Sequence, residues 1–168
     1  MSQPAFADIL DANRAYASEF RLAGLRPEAK RGLAVVTCID SRIEPLTLLG
    51  LVPGDAKIIR NAGARVTDDA LRSLVLAVHL LGVDRVAVIA HTRCAMTTAT
   101  DAELRTEISA RAGAPADGWD FHAVGDQLAT LASDLAVIRA CPLVPAAVEL
   151  GGFVYDVDTG LLQLETTA

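Results

Sequence analysis

The chain has 168 residues, a length that suits one domain better than two. It is 52% hydrophobic and 21% charged, which excludes a disordered or low-complexity protein. Its net charge of −6 argues against nucleic acid as a partner, because an acidic protein repels a phosphate backbone. The mean hydropathy of +0.35 is high, yet the longest apolar run, residues 74–83, is broken by His79 and is too short to cross a membrane. We therefore expect a large core and a subunit interface.

The amino terminus and the cysteines indicate where the protein resides. Residues 1–4 carry neither the basic segment nor the apolar segment of a secretion signal. The three cysteines, Cys38, Cys94 and Cys141, are too few and odd in number for a disulfide framework. They favour metal binding, catalysis or simple burial. Together these features predict a cytoplasmic protein.

The first half of the chain predicts helices that alternate with buried strands. Apolar side chains recur mostly on one face over residues 5–21, which predicts an amphipathic helix. Short apolar and partly β-branched runs predict buried strands at residues 33–37, 57–60 and 86–90. A helical turn is predicted over residues 46–49. A longer helix is expected to begin after the N-cap Thr67 and to end at Gly82.

The second half predicts two more helices and a closing hairpin. Thr100 and Glu103 form a capping box in front of the first of these helices. The second helix is predicted from about residue 121 to 140. A late strand over residues 151–157 turns back at residues 158–160 into a last strand near residues 161–164.

This order of elements predicts an α/β fold. We expect a mostly parallel β-sheet flanked by helices, with an N-terminal helical arm and a C-terminal antiparallel hairpin at the edge. The chain then forms a single domain over residues 1–168, in which residues 1–30 are the arm and residues 31–168 are the core. In such sheets ligands bind beyond the carboxyl ends of the strands.

Metal-ligating residue types follow two of the predicted strands. Cys38 comes directly after the first strand, and His91 and Cys94 follow the third. If these strands are neighbours, two thiolates and an imidazole lie together as three ligands of a tetrahedral zinc site. The fourth position of that site stays open, as in catalytic zinc sites. Asp40 and Arg42 lie two residues apart on an extended segment and can pair beside the metal. Asp40 could then accept a hydrogen bond from a zinc-bound water, or bind the zinc itself.

These residues resemble the β-class carbonic anhydrases. The resemblance covers most of the chain from about residue 31, and the matching segments are CIDSR at 38–42, GDAKIIRNAG at 54–63, HTRC at 91–94 and GFVYDVDTG at 152–160. The resemblance implies a zinc ion bound by Cys38, His91 and Cys94. It also implies that Asp40 and Arg42 are the catalytic dyad beside the metal-bound water.

The resemblance further implies a reaction and an assembly. The reaction is the reversible hydration of CO₂ to bicarbonate and a proton by attack of zinc-bound hydroxide. An enzyme that catalyses this reaction is a carbonate dehydratase. In one branch of the family the aspartate swings onto zinc at lower pH and displaces the water. Family members are dimers whose N-terminal helix packs on the partner, and the helix predicted over residues 5–21 fits that role. We therefore expect a homodimer or a higher homo-oligomer, with neither nucleic acid nor membrane as a partner.

Three further residues are candidates for the substrate pocket. Asn61 either lines the site or caps a loop, and Gly63 suits a turn with positive φ better than catalysis. Ala95 stands where the family usually has glycine, so its methyl group could narrow the substrate space. Arg93, where the family often has a smaller or acidic residue, either favours an anion such as bicarbonate or points to solvent.

Two other functions remain open on the sequence alone. One is hydrolysis of a CO₂-like molecule such as CS₂ or COS on the same scaffold, which a pocket altered by Ala95 and Met96 would favour. The other is a non-catalytic member that binds zinc or bicarbonate, in which Asp40 stays on zinc at every pH. The sequence offers no obvious histidine to carry the proton away, since His122 reads more readily as a surface residue.

Overall fold

The computed structural model describes residues 5–168, so the expectation about a secretion signal in residues 1–4 lies outside the described residues. The helices within this range are α1 Ala7–Ser18, α2 Pro45–Leu48, α3 Asp68–Leu80, α4 Asp101–Ala112 and α5 Gln127–Ala140. The strands are β1 Leu33–Cys38, β2 Ala56–Asn61, β3 Arg85–His91, β4 Glu149–Tyr155 and β5 Leu162–Thr167. Short 3₁₀ turns follow β2 and β3, at Ala62–Ala64 and Ala95–Thr97.

The five strands form one sheet in the order β2-β1-β3-β4-β5. The first three pairings are parallel, and β5 is antiparallel to β4 at the edge. This topology confirms the predicted α/β fold with a mostly parallel sheet and an antiparallel hairpin. The central strands β1 and β3 are buried along nearly their whole length, which explains why they read as continuous apolar runs rather than alternating ones.

The two faces of the sheet differ in how they are covered. One face carries α3 and α5, whose Leu74, Leu135 and Ile138 pack with Val36 and Val88 into the main core. The other face carries a smaller apolar cluster of β1 and β3 side chains, and an open groove runs along it. Helix α1 contributes no buried residue to either face. The excess apolar composition is therefore only partly absorbed by the core of one chain.

Local capping signals are confirmed. The Thr67 side chain accepts a hydrogen bond from the Ala70 amide (3.4 Å) at the start of α3. Thr100 and Glu103 form the predicted capping box of α4. Gly82 after α3 and Gly160 in the closing turn both have positive φ, a conformation that glycine adopts without steric cost.

The helix predicted from residue 121 begins six residues later, so that prediction is wrong at its start. Asp126 is the N-cap, since its carboxylate accepts from the Ala129 amide (3.0 Å). Residues 121–126 instead form a loop that Asp101 holds by accepting from the Phe121 and Ala123 amides (2.9 and 2.7 Å). These two bonds, each across about twenty residues, outweigh the local helical pattern. His122 adopts a φ of 55° in the loop. No helix within residues 5–168 is long and apolar enough to cross a membrane.

Candidate metal centre

Parallel pairing brings the three predicted zinc ligands together. Strands β1 and β3 are adjacent and end at Cys38 and His91, so these residues leave the sheet at the same edge, and Cys94 follows after a turn. The sulfur and nitrogen atoms of the three side chains lie within 4.8 Å of one another, and all three residues are buried. Four-coordinate zinc, with bonds of about 2.0–2.3 Å, suits ligand atoms at that spacing after small adjustments.

The imidazole of His91 is oriented to bind a metal through Nε2. Its Nδ1 lies 2.9 Å from the Thr92 carbonyl oxygen, which can only accept, so in the neutral imidazole Nδ1 carries the proton and Nε2 carries the lone pair. Within residues 5–168, Nε2 is the one buried side-chain nitrogen or oxygen without a hydrogen-bond partner. A buried lone pair without a partner is costly, and a metal ion removes that cost. The donor set therefore fits zinc.

The two neighbouring thiols change each other's acidity in opposite directions. Interaction with the Cys94 thiol lowers the pKa of Cys38 to about 3, and the Gly63 amide, which donates to the Cys38 sulfur (3.4 Å), adds to the effect. The same interaction, together with burial, raises the pKa of Cys94. The pair therefore favours one thiolate beside one thiol, and a divalent cation is what allows both to become thiolates.

Asp40 faces Arg42 beside this cluster. One carboxylate oxygen accepts from the Arg42 Nε and backbone amide (both 2.9 Å), and the other accepts from Nη2 (2.7 Å). The Arg42 guanidinium holds the pKa of the Asp40 carboxyl well below its usual range, mainly through these hydrogen bonds. The Asp40 Oδ2 lies 3.9 Å from the His91 Nε2. An ionised carboxylate of fixed direction therefore stands next to the metal position.

Two residues that the sequence analysis did not single out hold the ligand backbone. Arg60, on β2, donates to the carbonyls of Cys38 (2.9 Å) and Asp40 (2.7 Å). Gln127, the first residue of α5, donates to the carbonyl of His91 (2.9 Å). Arg60 lies within one of the segments that resemble the family, so the sequence offered some indication that it belongs to the site. Gln127 had none, because it lies 36 residues from the group it contacts.

The three pocket candidates occupy different places. Asn61 uses both ends of its side-chain amide on the backbone of Arg65 (2.6 and 2.7 Å), so it caps the loop after β2. Gly63 takes a φ of 81° within that loop and presents its amide to Cys38. Ala95 is exposed in the turn that follows Cys94. Its part in substrate selection stays a prediction.

Arg93 sits between two ligands in a left-handed conformation, with a φ of 53°. Its carbonyl accepts from the Nη2 of Arg42 (3.1 Å), and its exposed side chain pairs with Asp158 in the β4–β5 turn. The positive charge of Arg93 is thus neutralised at the surface rather than aimed at the metal. Of the alternatives left open by the sequence, the structure favours the one in which this side chain points to solvent.

Comparison with known proteins finds similarity along nearly the whole chain. A family model described as carbonic anhydrase matches residues 33–114. Beta-carbonic anhydrase 1 of Mycobacterium tuberculosis is 37% identical over 155 residues, covering 92% of this chain and 94% of that protein. A carbon disulfide hydrolase of Acidianus sp. is 33% identical over 156 residues, covering 79% and 76%. The structure of the carbonic anhydrase from Streptococcus mutans has a TM-score of 0.92 at 37% identity, covering 99% of this chain and 100% of that one.

Proposed function

The chain belongs to the β-class carbonic anhydrases, and from that premise we propose that it hydrates CO₂ reversibly to bicarbonate and a proton at the cluster of Cys38, His91 and Cys94. The enzymes of this class use zinc, and the cluster is able to bind it. The observation that carries the proposal is the His91 Nε2, a buried lone pair without a protein partner beside two thiols.

Cys38, His91 and Cys94 would hold the zinc ion, which would supply a lowered pKa for the reacting water, an effect that two thiolate ligands would weaken. Asp40 then acts as an acceptor, because its pairing with Arg42 keeps it ionised. An ionised carboxylate only accepts hydrogen bonds, so it binds an O–H of the attacking water. This orientation leaves a lone pair of the same oxygen free for the carbon of CO₂. Arg42 fixes the direction of that acceptor, and the Arg93 carbonyl fixes Arg42.

Stopped-flow CO₂ hydration by the zinc-loaded protein at pH 8.5 tests this proposal. We expect turnover in the wild type, and loss of zinc and activity in Cys38→Ser. Cys141→Ser is the matched control, because Cys141 is a thiol outside the ligand cluster and its loss should leave both unchanged. A zinc-loaded wild type with no rate above background would refute the proposal. Release of sulfide from CS₂ without CO₂ hydration would instead place the chain with the carbon disulfide hydrolases.

We further propose that the chain works as a homodimer or larger homo-oligomer, with α1 packed on a second copy. Helix α1 and the residues that follow it expose the apolar side chains of Ile9, Leu10, Tyr16 and Phe20. The open groove on the bare sheet face is lined by apolar residues such as Leu33, Ile89 and Leu162. Both surfaces are apolar and exposed, so each is suited to burial against a second copy. Light scattering should give at least the mass of a dimer, and Ile9→Asp should reduce it; a monomeric wild type would contradict this assembly.

A cytoplasmic location also belongs to this proposal. Cys38 and Cys94 bind zinc only as reduced thiolates, which a reducing compartment maintains. Fractionation of cells that express the full chain would test the location, and recovery from an exported fraction would contradict it.

A further inference from the structure

A single guanidinium behind the metal centre joins three segments of the chain. Arg65, in the loop after β2, donates to both carboxylate oxygens of Asp134 on α5, from Nε (2.9 Å) and from Nη2 (3.2 Å). Its Nη1 donates to the carbonyl of His122 in the loop before α5 (3.1 Å). The Asp134 side chain is only 5% exposed, so this is a largely buried ion pair. Such pairs are sensitive to the loss of either partner.

Two of the three joined segments contact a zinc ligand, and the third contacts the turn that follows the remaining ligand. The loop of Arg65 presents the Gly63 amide to the Cys38 sulfur (3.4 Å). Helix α5 contacts the His91 carbonyl through Gln127 (2.9 Å). The loop of His122 contacts the turn after Cys94.

That last contact is made by Val124, whose amide donates to the carbonyl of Met96 (2.8 Å). Met96 lies in the 3₁₀ turn directly after Cys94 and packs in the same small cluster as Cys38 and Cys94. Segments that meet at Arg65 therefore contact Cys38, His91 and the turn after Cys94.

A small cavity of about 10 Å³ lies between these segments and the ligands. Its lining includes Gly63, His91 and Cys94 together with Gln127 and Asp134. Gln127 and Asp134 are seven residues apart, two helical turns, and so share one face of α5. Leu131, which lies between them on α5, also lines this cavity and packs in the main core, so packing holds α5 against the sheet. The bidentate ion pair, with its fixed geometry, ties α5 to the loop after β2.

We infer that Arg65 and Asp134 are positioning residues of the metal centre, which hold α5 and the loop after β2 at the separation that zinc binding requires. The inference deepens the proposed function and rests on the same three ligands, but it concerns zinc affinity rather than turnover. Loss of a partner in the layer behind metal ligands typically weakens metal binding about 10- to 100-fold.

The test compares three variants of the full chain in their zinc-loaded form. Asp134→Asn keeps the shape of the side chain and removes its charge. Gln127→Met removes the donor to His91 without leaving a buried charge, so it tests α5 even if the first variant folds poorly. Arg139→Lys is the matched control, because Arg139 also joins α5 to distant carbonyls, those of Ala146, Val148 and Ala168, and these lie outside the residues that line the metal cavity.

Two measurements separate positioning from general stability. The first is the zinc Kd from competition with a chromophoric chelator, and the second is the thiolate-to-cobalt absorption band of the Co²⁺-loaded protein. We expect Asp134→Asn to raise the Kd at least about 10-fold, Gln127→Met to raise it by a smaller factor, and both to shift the band. Arg139→Lys should lower the Tm while leaving the Kd and the band as in the wild type.

The outcomes are distinguishable from failure of the proposed function. A wild type that binds zinc tightly but does not hydrate CO₂ refutes the proposed function and leaves this inference standing. An unchanged Kd and band in both Asp134→Asn and Gln127→Met overturn the inference, whatever the activity. A Kd raised equally by Arg139→Lys also overturns it, because the effect then follows from loss of stability alone.

Discussion

Gly63→Ala should weaken zinc binding far more than its effect on stability explains. Gly63 has a φ of 81°, and an added Cβ would lie 3.3 Å from the Cγ of Met96 and 3.5 Å from the Cγ of Arg65. A left-handed conformation costs an alanine roughly 1–2 kcal/mol. The crowded Cβ also requires the Met96 side chain or the loop to move by a few tenths of an ångström, because that contact is tighter than ordinary van der Waals distance.

Strain at residue 63 and movement of the loop both act on the bond from the Gly63 amide to the Cys38 sulfur (3.4 Å). Hydrogen bonds to charged groups contribute about 1.5–3 kcal/mol, so its loss corresponds to a zinc Kd raised roughly 10- to 150-fold. The measurements are chelator competition for the Kd and thermal unfolding for stability. The strain alone should lower the Tm by about 2–8 °C in a chain of this size.

Gly113→Ala is the matched control. Gly113 also has a positive φ, 65°, but an added Cβ there meets nothing within 4 Å, and the residue caps α4 away from the metal. The two variants should lose similar stability, with only Gly63→Ala losing zinc affinity. A Gly63→Ala protein that binds zinc as tightly as Gly113→Ala would refute the reasoning, since it would show that the amide of residue 63 does not support the Cys38 thiolate.

Three more outcomes are expected. Asp40→Asn should lower CO₂ hydration about 100-fold or more with full zinc content by elemental analysis, because it removes the ionised acceptor; an unaffected rate would contradict that role. Since the Asp40 pKa is lowered on folding, its pairing with Arg42 stabilises the fold above the ordinary pKa of about 3.9 and is lost as pH falls below it. The Tm difference between wild type and Asp40→Asn should thus be constant from about pH 5 upward and vanish in acid. Arg93→Gly should leave the KM for bicarbonate unchanged, because Asp158 already neutralises Arg93; a raised KM would show that this charge attracts the anion.

Much of the fold was predictable because its signals are local. Strands β1 and β3 are buried on both faces and so appear as unbroken apolar runs, and Thr100 caps α4 through a residue three positions away. The start of α5 was not predictable in this way. Asp101 accepts hydrogen bonds from the amides of Phe121 and Ala123, about twenty residues away, and holds residues 121–126 in a loop. No pattern within residues 121–126 predicts these bonds.

The sequence by itself predicted which side chains could bind a metal. His91 and Cys94 are three residues apart and Asp40 lies two residues from Arg42, so these groups are near one another through short spacings. The pairing of β1 with β3, which brings Cys38 beside His91, belongs to the tertiary structure. Only the tertiary structure decided what supports these side chains. Arg65 finds Asp134 across 69 residues, and Gln127 finds His91 across 36. Those partners are selected by how α5 packs on the sheet, and helix packing depends on the whole core rather than on any stretch of neighbouring residues.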